Sequence, residues 1–294
     1  MHQNLTLLSA GGDERFASLT GMLAENPTHT VYSIGFGTRL RETPGVRCLD
    51  QLSQLQQQPD LLILPMPLSE DGVHLKAPCH PGTPILLRYL LDLCHRGTLV
   101  FHGKGDQSFK AACEERGLIP IDYLDDEAFT VKNAAATAQA ALTLAAELLP
   151  MAFFDCEVMV LGGGRIARVL CRLLTAYGAS VTCLARSPEQ RVWASLTGAK
   201  ALPLTHIGAA PPPQLVFSTI PSMVLGEQEL MLLPPDCLMI ELASRPGGID
   251  PHAAHRLGRR LVQAPSLPGR TVPVSAARWL CQLIAQKEAD YFHE

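Results

Sequence analysis

The sequence predicts an α/β protein: two Rossmann-like parallel-sheet domains joined by a long helix, with a C-terminal helix packing back on the N-terminal domain. Three observations predict it. Short apolar runs alternate with helix-period segments in both halves of the chain, the pattern of a parallel sheet with crossover helices. One run, Glu157 to Leu161, ends in Gly162-Gly-Gly-Arg-Ile-Ala167 and passes straight into an amphipathic helix pattern. The stretch from Asp126 to Leu149 has few helix breakers, is rich in alanine and leucine from Ala134, and is stopped by Pro150.

A length of 294 residues points to two domains, because single hydrophobic cores stop growing near this size. The expected division is an N-terminal α/β substrate domain over 1–125, an interdomain helix over 126–152, an NAD(P)-binding Rossmann domain over 153–273 and a C-terminal helix over 274–294. With 47% hydrophobic and 18% charged residues the chain can bury sizeable cores. A net charge of −4 without a basic stripe argues against nucleic acid as a partner. No apolar run is long enough to span a membrane, and Met1-His-Gln-Asn lacks signal-peptide character. The nine cysteines are scattered, with no C-x-x-C and no Cys/His cluster at metal spacing. They read as reduced cytoplasmic thiols, each a small buried apolar residue, and no metal is expected.

In the first half, Leu5 to Ser9 is a strand, followed by the turn Gly11-Gly12-Asp13-Glu14-Arg15 and a helix pattern through Leu23. Thr30 to Ile34 is the next strand, broken by Gly35-Phe-Gly37; Leu61 to Leu64 is a third, ended by Pro65 and Pro67. Pro84 to Leu93 reads as helix, Thr98 to Phe101 as strand, Phe109 to Glu115 as helix and Leu118 to Ile121 as strand. The Gly11-Gly12 turn lacks G-x-G-x-x-G, so this half reads as the substrate domain rather than a second nucleotide site. His102, after the fourth strand, reads as a solvated loop histidine.

In the second half, Gly162, Gly164 and Ala167 fit the dinucleotide fingerprint G-x-G-x-x-[G/A]. Gly162 permits the tight turn, Gly164 lets a pyrophosphate approach the backbone, and Ala167 lets the helix pack on the strand. Ile166, Val169, Leu170, Leu173, Leu174 and Tyr177 keep helical spacing to a C-cap at Gly178, and Ser180 to Ala185 is the second strand. Arg165 has two readings: it touches the cofactor phosphates or it closes the cleft. The acidic residue that usually pairs with the adenosine ribose is replaced by Arg186-Ser187, with Arg191 one turn later. These would bind a 2′-phosphate, which favours NADP over NAD, with NAD still allowed. The competing reading of Arg186 is a solvated surface arginine.

Further on come Ser187 to Leu196 (helix), the rigid linker Ala210-Pro-Pro-Pro213 and Leu215 to Ser218 (strand). Thr219-Ile220-Pro221 then has two readings: the turn that borders the nicotinamide ribose in such domains, or an ordinary strand-ending turn. Glu227 to Leu233 (helix) and Leu238 to Leu242 (strand) follow, then Ala243-Ser244-Arg245-Pro246-Gly247-Gly248. Arg245 there can hold a substrate carboxylate bidentately, or form a salt bridge to a neighbouring helix. His252 to Leu257 (helix) and Leu261 to Gln263 (strand) lead to Ala264–Pro273, read as a proline-stiffened loop that carries Pro265 back over the cleft. Ser275 to Phe292 is the final helix.

The motifs Gly11-Gly12-Asp13-x-Arg15, Thr219-Ile-Pro-Ser-Met223, Ala243-Ser-Arg-Pro-Gly-Gly248 and Ala264-Pro-x-Leu-Pro-Gly269 together resemble the dipicolinate synthase A subunit family of endospore-forming bacteria. The resemblance covers nearly the whole chain and is strongest from Val158 to Pro273. It implies an N-terminal α/β domain, a C-terminal NAD(P)-binding domain and a flavoprotein-like partner, the dipicolinate synthase B subunit, and it leaves room for a homodimer. The implied reaction is NAD(P)-dependent oxidation of dihydrodipicolinate, from the lysine pathway, to dipicolinate in the mother-cell cytoplasm during sporulation. Two motifs depart from the family. Thr137-Ala-Gln139-Ala140 stands for Thr-x-Glu-Gly, which puts an amide in place of a carboxylate, and Ser275-Ala-Ala-Arg278 stands for Thr-Ala-Gly-Gln.

A planar dicarboxylate needs two cationic anchors beside the nicotinamide. The candidates are Arg15, Lys104 and Arg245 with Ser244, and Asn133 can hydrogen-bond the ring nitrogen or a carboxylate. Asp13 is either a general base or the residue that orients Arg15. Two other classes compete: another NADP-dependent oxidoreductase on a small dicarboxylate or 2-oxo acid, and a nucleotide-binding protein of a complex that has no catalytic role itself.

Overall fold

The computed structural model describes residues 4–292; Met1 to Gln3, part of the segment read as lacking signal-peptide character, lie outside the described residues. The chain divides into two compact units. One runs up to Lys132 and resumes at Gly269; the other is Asn133–Pro268.

The first unit is built from β1 (Leu5–Ala10), α1 (Glu14–Ala24), β2 (His29–Ile34), β3 (Val46–Cys48), β4 (Leu61–Ile63), α2 (Leu87–Asp92), β5 (Leu99–His102), α3 (Gln107–Glu115) and β6 (Ile119–Asp122). All neighbours are parallel, in the order β3-β2-β1-β4-β5-β6. β1 is buried along all six residues because helices cover both faces of a parallel sheet. Leu5 and Leu7 join Phe16, Phe101 and Tyr123 on one face, whereas Leu8 and Ala10 join Leu62, Leu90 and Phe109 on the other.

The second unit contains most of α4 (Glu127–Leu148), which starts in the first unit and continues past Asn133. β7 (Glu157–Leu161), α5 (Arg165–Ala176), β8 (Ser180–Ala185), α6 (Pro188–Ser195), β9 (Lys200–Pro203) and β10 (Leu215–Ser218) follow. Then come α7 (Glu227–Met231), β11 (Leu238–Glu241), α8 (Pro251–Arg256), β12 (Arg260–Gln263) and α9 (Leu267–Thr271), which ends in the first unit. The strand order β12-β11-β10-β7-β8-β9 is the doubly wound order of the first sheet again, all parallel. Ala138, Ala141 and Ala145 of α4 are fully buried in the core with Val160, Leu170 and Phe217. Their small side chains let α4 lie close to this core. The last helix, α10 (Pro273–Phe292), packs on the first unit: Ala277, Leu280 and Ile284 join Phe16, Leu19 and Leu23 in one core. Among the described residues no helix is long and apolar enough to cross a membrane.

The differences from expectation have local causes. β3 and β9 are edge strands with half-buried or exposed residues, so they carry no apolar run. The helix expected from Pro84 starts only at Leu87. Leu75 N–H donates to Ile85 O (2.8 Å) and Leu87 N–H to Val73 O (3.0 Å), a tertiary pairing that outcompetes helix propensity. The expected loop Ala264–Pro273 contains α9, because a proline in the first helical turn costs no hydrogen bond. Cys48 is exposed and Cys79, Cys94 and Cys281 are half-buried, but the other five cysteines are buried, and all nine are free thiols.

Candidate functional site

In a parallel sheet all C-terminal strand ends share one edge. In the second unit, β7 and β10 flank the topological switch point, the usual ligand position of an open α/β sheet. The turn after β7 is tight. Gly162 has φ +112°, and a Cβ there would land on the Thr219 hydroxyl and within 3.2 Å of Ile220. Its N–H donates to Leu184 O at 2.9 Å. Thr219 braces the same turn, its hydroxyl and its N–H donating to Leu161 O at 2.8 and 3.0 Å. Gly164, the N-cap of α5, has no side chain to cap the helix, and a Cβ built on it meets nothing within 4 Å. The N–H groups of Gly163 and Gly164 find no acceptor among the described residues. Ala167 is fully buried under the helix. An open helix N-terminus with unspent donors is an anion site. Arg165 and Ile166 begin that helix, with Arg165 exposed.

Arg186 is exposed just beyond β8 and lines a groove of about 830 Å³ with Leu204, His206, Ile207, Val224 and Leu232. Ser187 caps α6 by accepting the Gln190 N–H at 3.2 Å. Arg191 does not reach outward through Nη1, which donates to the carbonyls of Ala185 (3.1 Å) and Arg186 (2.8 Å) and so braces the strand end. Arg168 was missed from sequence. Its Nε donates to Gly163 O (3.3 Å) and its guanidinium lies 4.7 Å over the Trp193 ring, a pairing between helices that carries no local signature. Burial pushes the thiols of Cys94, Cys113 and Cys237 up to about 12, so these three are poor nucleophiles.

Beyond β10, Ile220 is buried and Pro221 exposed; beyond β11, Ala243 is half-buried while Ser244 and Arg245 are exposed; beyond β12, Pro265 is exposed. Arg245 has no partner among the described residues, so the salt bridge to a neighbouring helix is not formed. Glu241, the last residue of β11, was also missed. It is 1% exposed, and its carboxylate accepts N–H groups from Ala243 (3.0 Å), Gly248 (2.7 Å) and Ile249 (3.0 Å). Burial pushes its carboxyl up, against the pull of those backbone donors. An acid ending an apolar strand was the available signal.

In the first unit Asp13 caps α1, its Oδ1 accepting the Arg15 N–H at 3.1 Å. The Arg15 guanidinium, expected as an open substrate anchor, is buried and committed. Nε (3.0 Å) and Nη2 (2.8 Å) donate to Asp13, and Nη2 also donates to Met66 O at 2.9 Å. Of the two readings of Asp13, this geometry is that of the residue orienting Arg15. Lys104 is exposed with φ 59°, and its N–H donates to Asp122 Oδ2 at 3.1 Å. His102, expected in solvent, is fully buried, because Phe109 packs edge to face on its ring at 5.0 Å. Its Nδ1 accepts the Gly105 N–H (3.2 Å), and burial lowers its pKa, opposed by Asp122.

Asn133 is half-buried, and its Oδ1 has no partner among the described residues. Gln139 is exposed on α4 in a groove of about 850 Å³ with Phe153 and Tyr177. Thus one sheet edge gathers residues 162–166, 186–191, 219–221, 243–245 and 265, and the edge of the other sheet holds Asp13, Arg15 and Lys104.

Residues 7–124 match the family model for the N-terminal domain of the dipicolinate synthase A subunit. The chain is 28% identical to the dipicolinate synthase A subunit of Bacillus subtilis (strain 168), over 99% of this chain and 98% of that protein. The crystal structure of the dipicolinate synthase A subunit from Bacillus halodurans matches with a TM-score of 0.88 at 20% identity, over 98% of this chain and 99% of that one. An L-alanine dehydrogenase structure matches with a TM-score of 0.65 at 13% identity, over 98% and 91%. Residues 7–124 thus match the N-terminal domain of the dipicolinate synthase A subunit family, and the chain is similar to such subunits over nearly its whole length. Its fold of two doubly wound sheets is also shared with the L-alanine dehydrogenase.

Proposed function

We propose that this chain binds a nicotinamide dinucleotide, NADP before NAD, and oxidises dihydrodipicolinate to dipicolinate. One observation carries the reading: an uncapped helix N-terminus at the switch point, with Arg186 where an acid would exclude a 2′-phosphate. The N–H groups of Gly163 and Gly164, with Arg165 and Ile166, hold the pyrophosphate. Arg186 and Ser187 take the 2′-phosphate, and Arg191 keeps the β8 end in place beneath them. Thr219, Ile220, Pro221, Ala243 and Pro265 line the remainder. The bound nicotinamide supplies the hydride acceptor. Arg245, with Ser244, fixes one substrate carboxylate; Lys104 and Asn133 are further polar contacts, whereas the buried Arg15 guanidinium is left out of the substrate contacts. Asp13, spent on Arg15, positions it. Aromatisation drives the reaction, so no strong base is required.

Similarity to the A subunit of a synthase supports a partner, read here as the B subunit, with a homodimer as a further assembly and the mother-cell cytoplasm as the compartment. A second reading is a nucleotide-binding component without catalytic activity, favoured by Gln139 in place of the carboxylate the family resemblance implies and by the committed Arg15 guanidinium. The test supplies dihydrodipicolinate with NADP+ or NAD+, with and without the B subunit, and follows nicotinamide reduction. Dinucleotide binding without turnover in every combination selects the second reading. Turnover only with another dicarboxylate or a 2-oxo acid moves the substrate assignment. No dinucleotide binding in a direct titration overturns both.

A further inference from the structure

The loop that carries Arg245 leaves β11 at Leu242 and returns at Ile249. Both of its ends are held by one buried carboxylate. Glu241 takes the Ala243 N–H at the loop's start and the Gly248 and Ile249 N–H groups at its close. The close is also tied down from the other side, because Val224 and Leu225 donate to Gly248 O at 2.8 and 2.9 Å. A Gly247 N–H to Ser244 O bond of 2.9 Å turns the chain around Arg245 and Pro246. The backbone wraps the carboxylate too closely for side chains. A Cβ on Gly247, which has φ +84°, would stand 3.1 Å from Glu241 Oε2, and one on Gly248 would stand 2.5 Å from the Ser218 hydroxyl.

We infer that Glu241 is a positioning residue: through the two ends of the Ala243–Gly248 loop it sets the orientation in which Arg245 meets a substrate carboxylate. This rests on the proposed role of Arg245. The chemistry explains why the residue is an acid. Three N–H donors converge on it, and a carboxylate can accept all three, whereas a glutamine turns its own NH₂ towards at least one of them. Burying a carboxylate is costly unless it is bonded in this way. Here that cost secures a loop whose tip is exposed and whose arginine has no internal partner among the described residues, so the rigidity serves the position of the tip.

The test compares Glu241→Gln, Arg245→Ala and the double variant of the full chain. KM and kcat are read with dihydrodipicolinate, NADP+ and the B subunit; the affinities for dipicolinate and for NADP+ are read by titration without turnover. Glu241→Gln is expected to raise KM and weaken dipicolinate about 10-fold, with NADP+ affinity unchanged, and the double variant to match Arg245→Ala alone. If Arg245→Ala weakens dipicolinate and Glu241→Gln does not, or if the two effects multiply, the positioning role is overturned and the anchor stands. If Arg245→Ala leaves dipicolinate affinity and KM unchanged, the anchor itself is overturned and the inference with it. Should Glu241→Gln lose NADP+ binding as well, Gly247→Ala disturbs the same clamp from the loop side and must reproduce the selective loss; failure to do so overturns the role.

Discussion

The chain contains the same turn twice. Each sheet has the same doubly wound order, and in each a glycine pair follows the central strand and leads into a helix: Gly11-Gly12 before α1 and Gly162-Gly163 before α5. The first turn is closed. Asp13 caps the helix from its own side chain, the Gly12 N–H donates to Lys76 O at 2.9 Å, and Leu75 packs where a Gly11 side chain would lie. The second turn is open, with no cap on α5, no atom within 4 Å of a Gly164 Cβ, and two N–H groups without acceptors among the described residues. Topology supplies a ligand position in both units. The residue at the N-cap decides whether an anion can use it, which is why fold alone does not assign function.

The largest test of this contrast breaks the closed turn. Asp13→Ala removes the cap of α1 and leaves the buried Arg15 guanidinium with the Met66 carbonyl, which is expected to cost about 3 kcal/mol. Urea unfolding should show a lower midpoint while dinucleotide affinity is retained; an unchanged midpoint would mean that the ion pair contributes nothing.

The reverse experiment closes the open turn. Gly164→Asp installs at α5 the device that seals α1, and φ −79° and the empty space around Gly164 tolerate the side chain. Its carboxylate should compete for the N–H donors and repel phosphate, weakening dinucleotide binding about 100-fold (about 2.7 kcal/mol) while stabilising the fold by about 1 kcal/mol. Undiminished affinity by fluorescence titration would place the pyrophosphate elsewhere.

A smaller change tests the rim of the open turn. Arg186→Glu should shift the NADP/NAD affinity ratio about 10-fold or more towards NAD, with the pyrophosphate site intact. A ratio that does not move removes Arg186 from the 2′-phosphate.

The smallest effect is in the pH dependence of the closed unit. Burial lowers the His102 pKa, so the unfolded chain takes up the proton more readily than the folded one. The neutral histidine's contribution to stability is complete above the ordinary histidine value of about 6.5 and is lost as the pH falls towards the lowered folded value. His102→Phe should flatten that part of the urea-midpoint profile, and an unaltered slope would show that another group titrates there.

Much of this contrast was legible in the sequence. The fingerprint residues each have a geometric task, and the backbone takes the matching form at Gly162, Gly164 and Ala167, because strand, turn and helix are consecutive there and local spacing fixes their relation. The α10 helix itself was legible from its amphipathic pattern. What was not legible depends on distant partners. Arg15 looked like an open anchor because Met66, 51 residues away, is invisible from the turn. His102 looked solvated because nothing adjacent announces that Phe109 will cover it. β3 and β9 were hidden because edge strands need no apolar run.

The sequence by itself determined two parallel sheets of one winding, the long helix between them, and a glycine turn of the fingerprint form between a strand and a helix. These are consequences of periodicity and of residues that are neighbours in the chain. Only the tertiary structure decided which strand-end charges remain available. Arg15 is spent on Asp13 and a remote carbonyl, Arg191 on the end of β8, and Arg245 stands exposed on a loop clamped by Glu241. The physical reason is that a guanidinium's hydrogen bonds depend on which backbone groups the packed fold brings within about 3 Å of it, and no spacing rule in the chain encodes that.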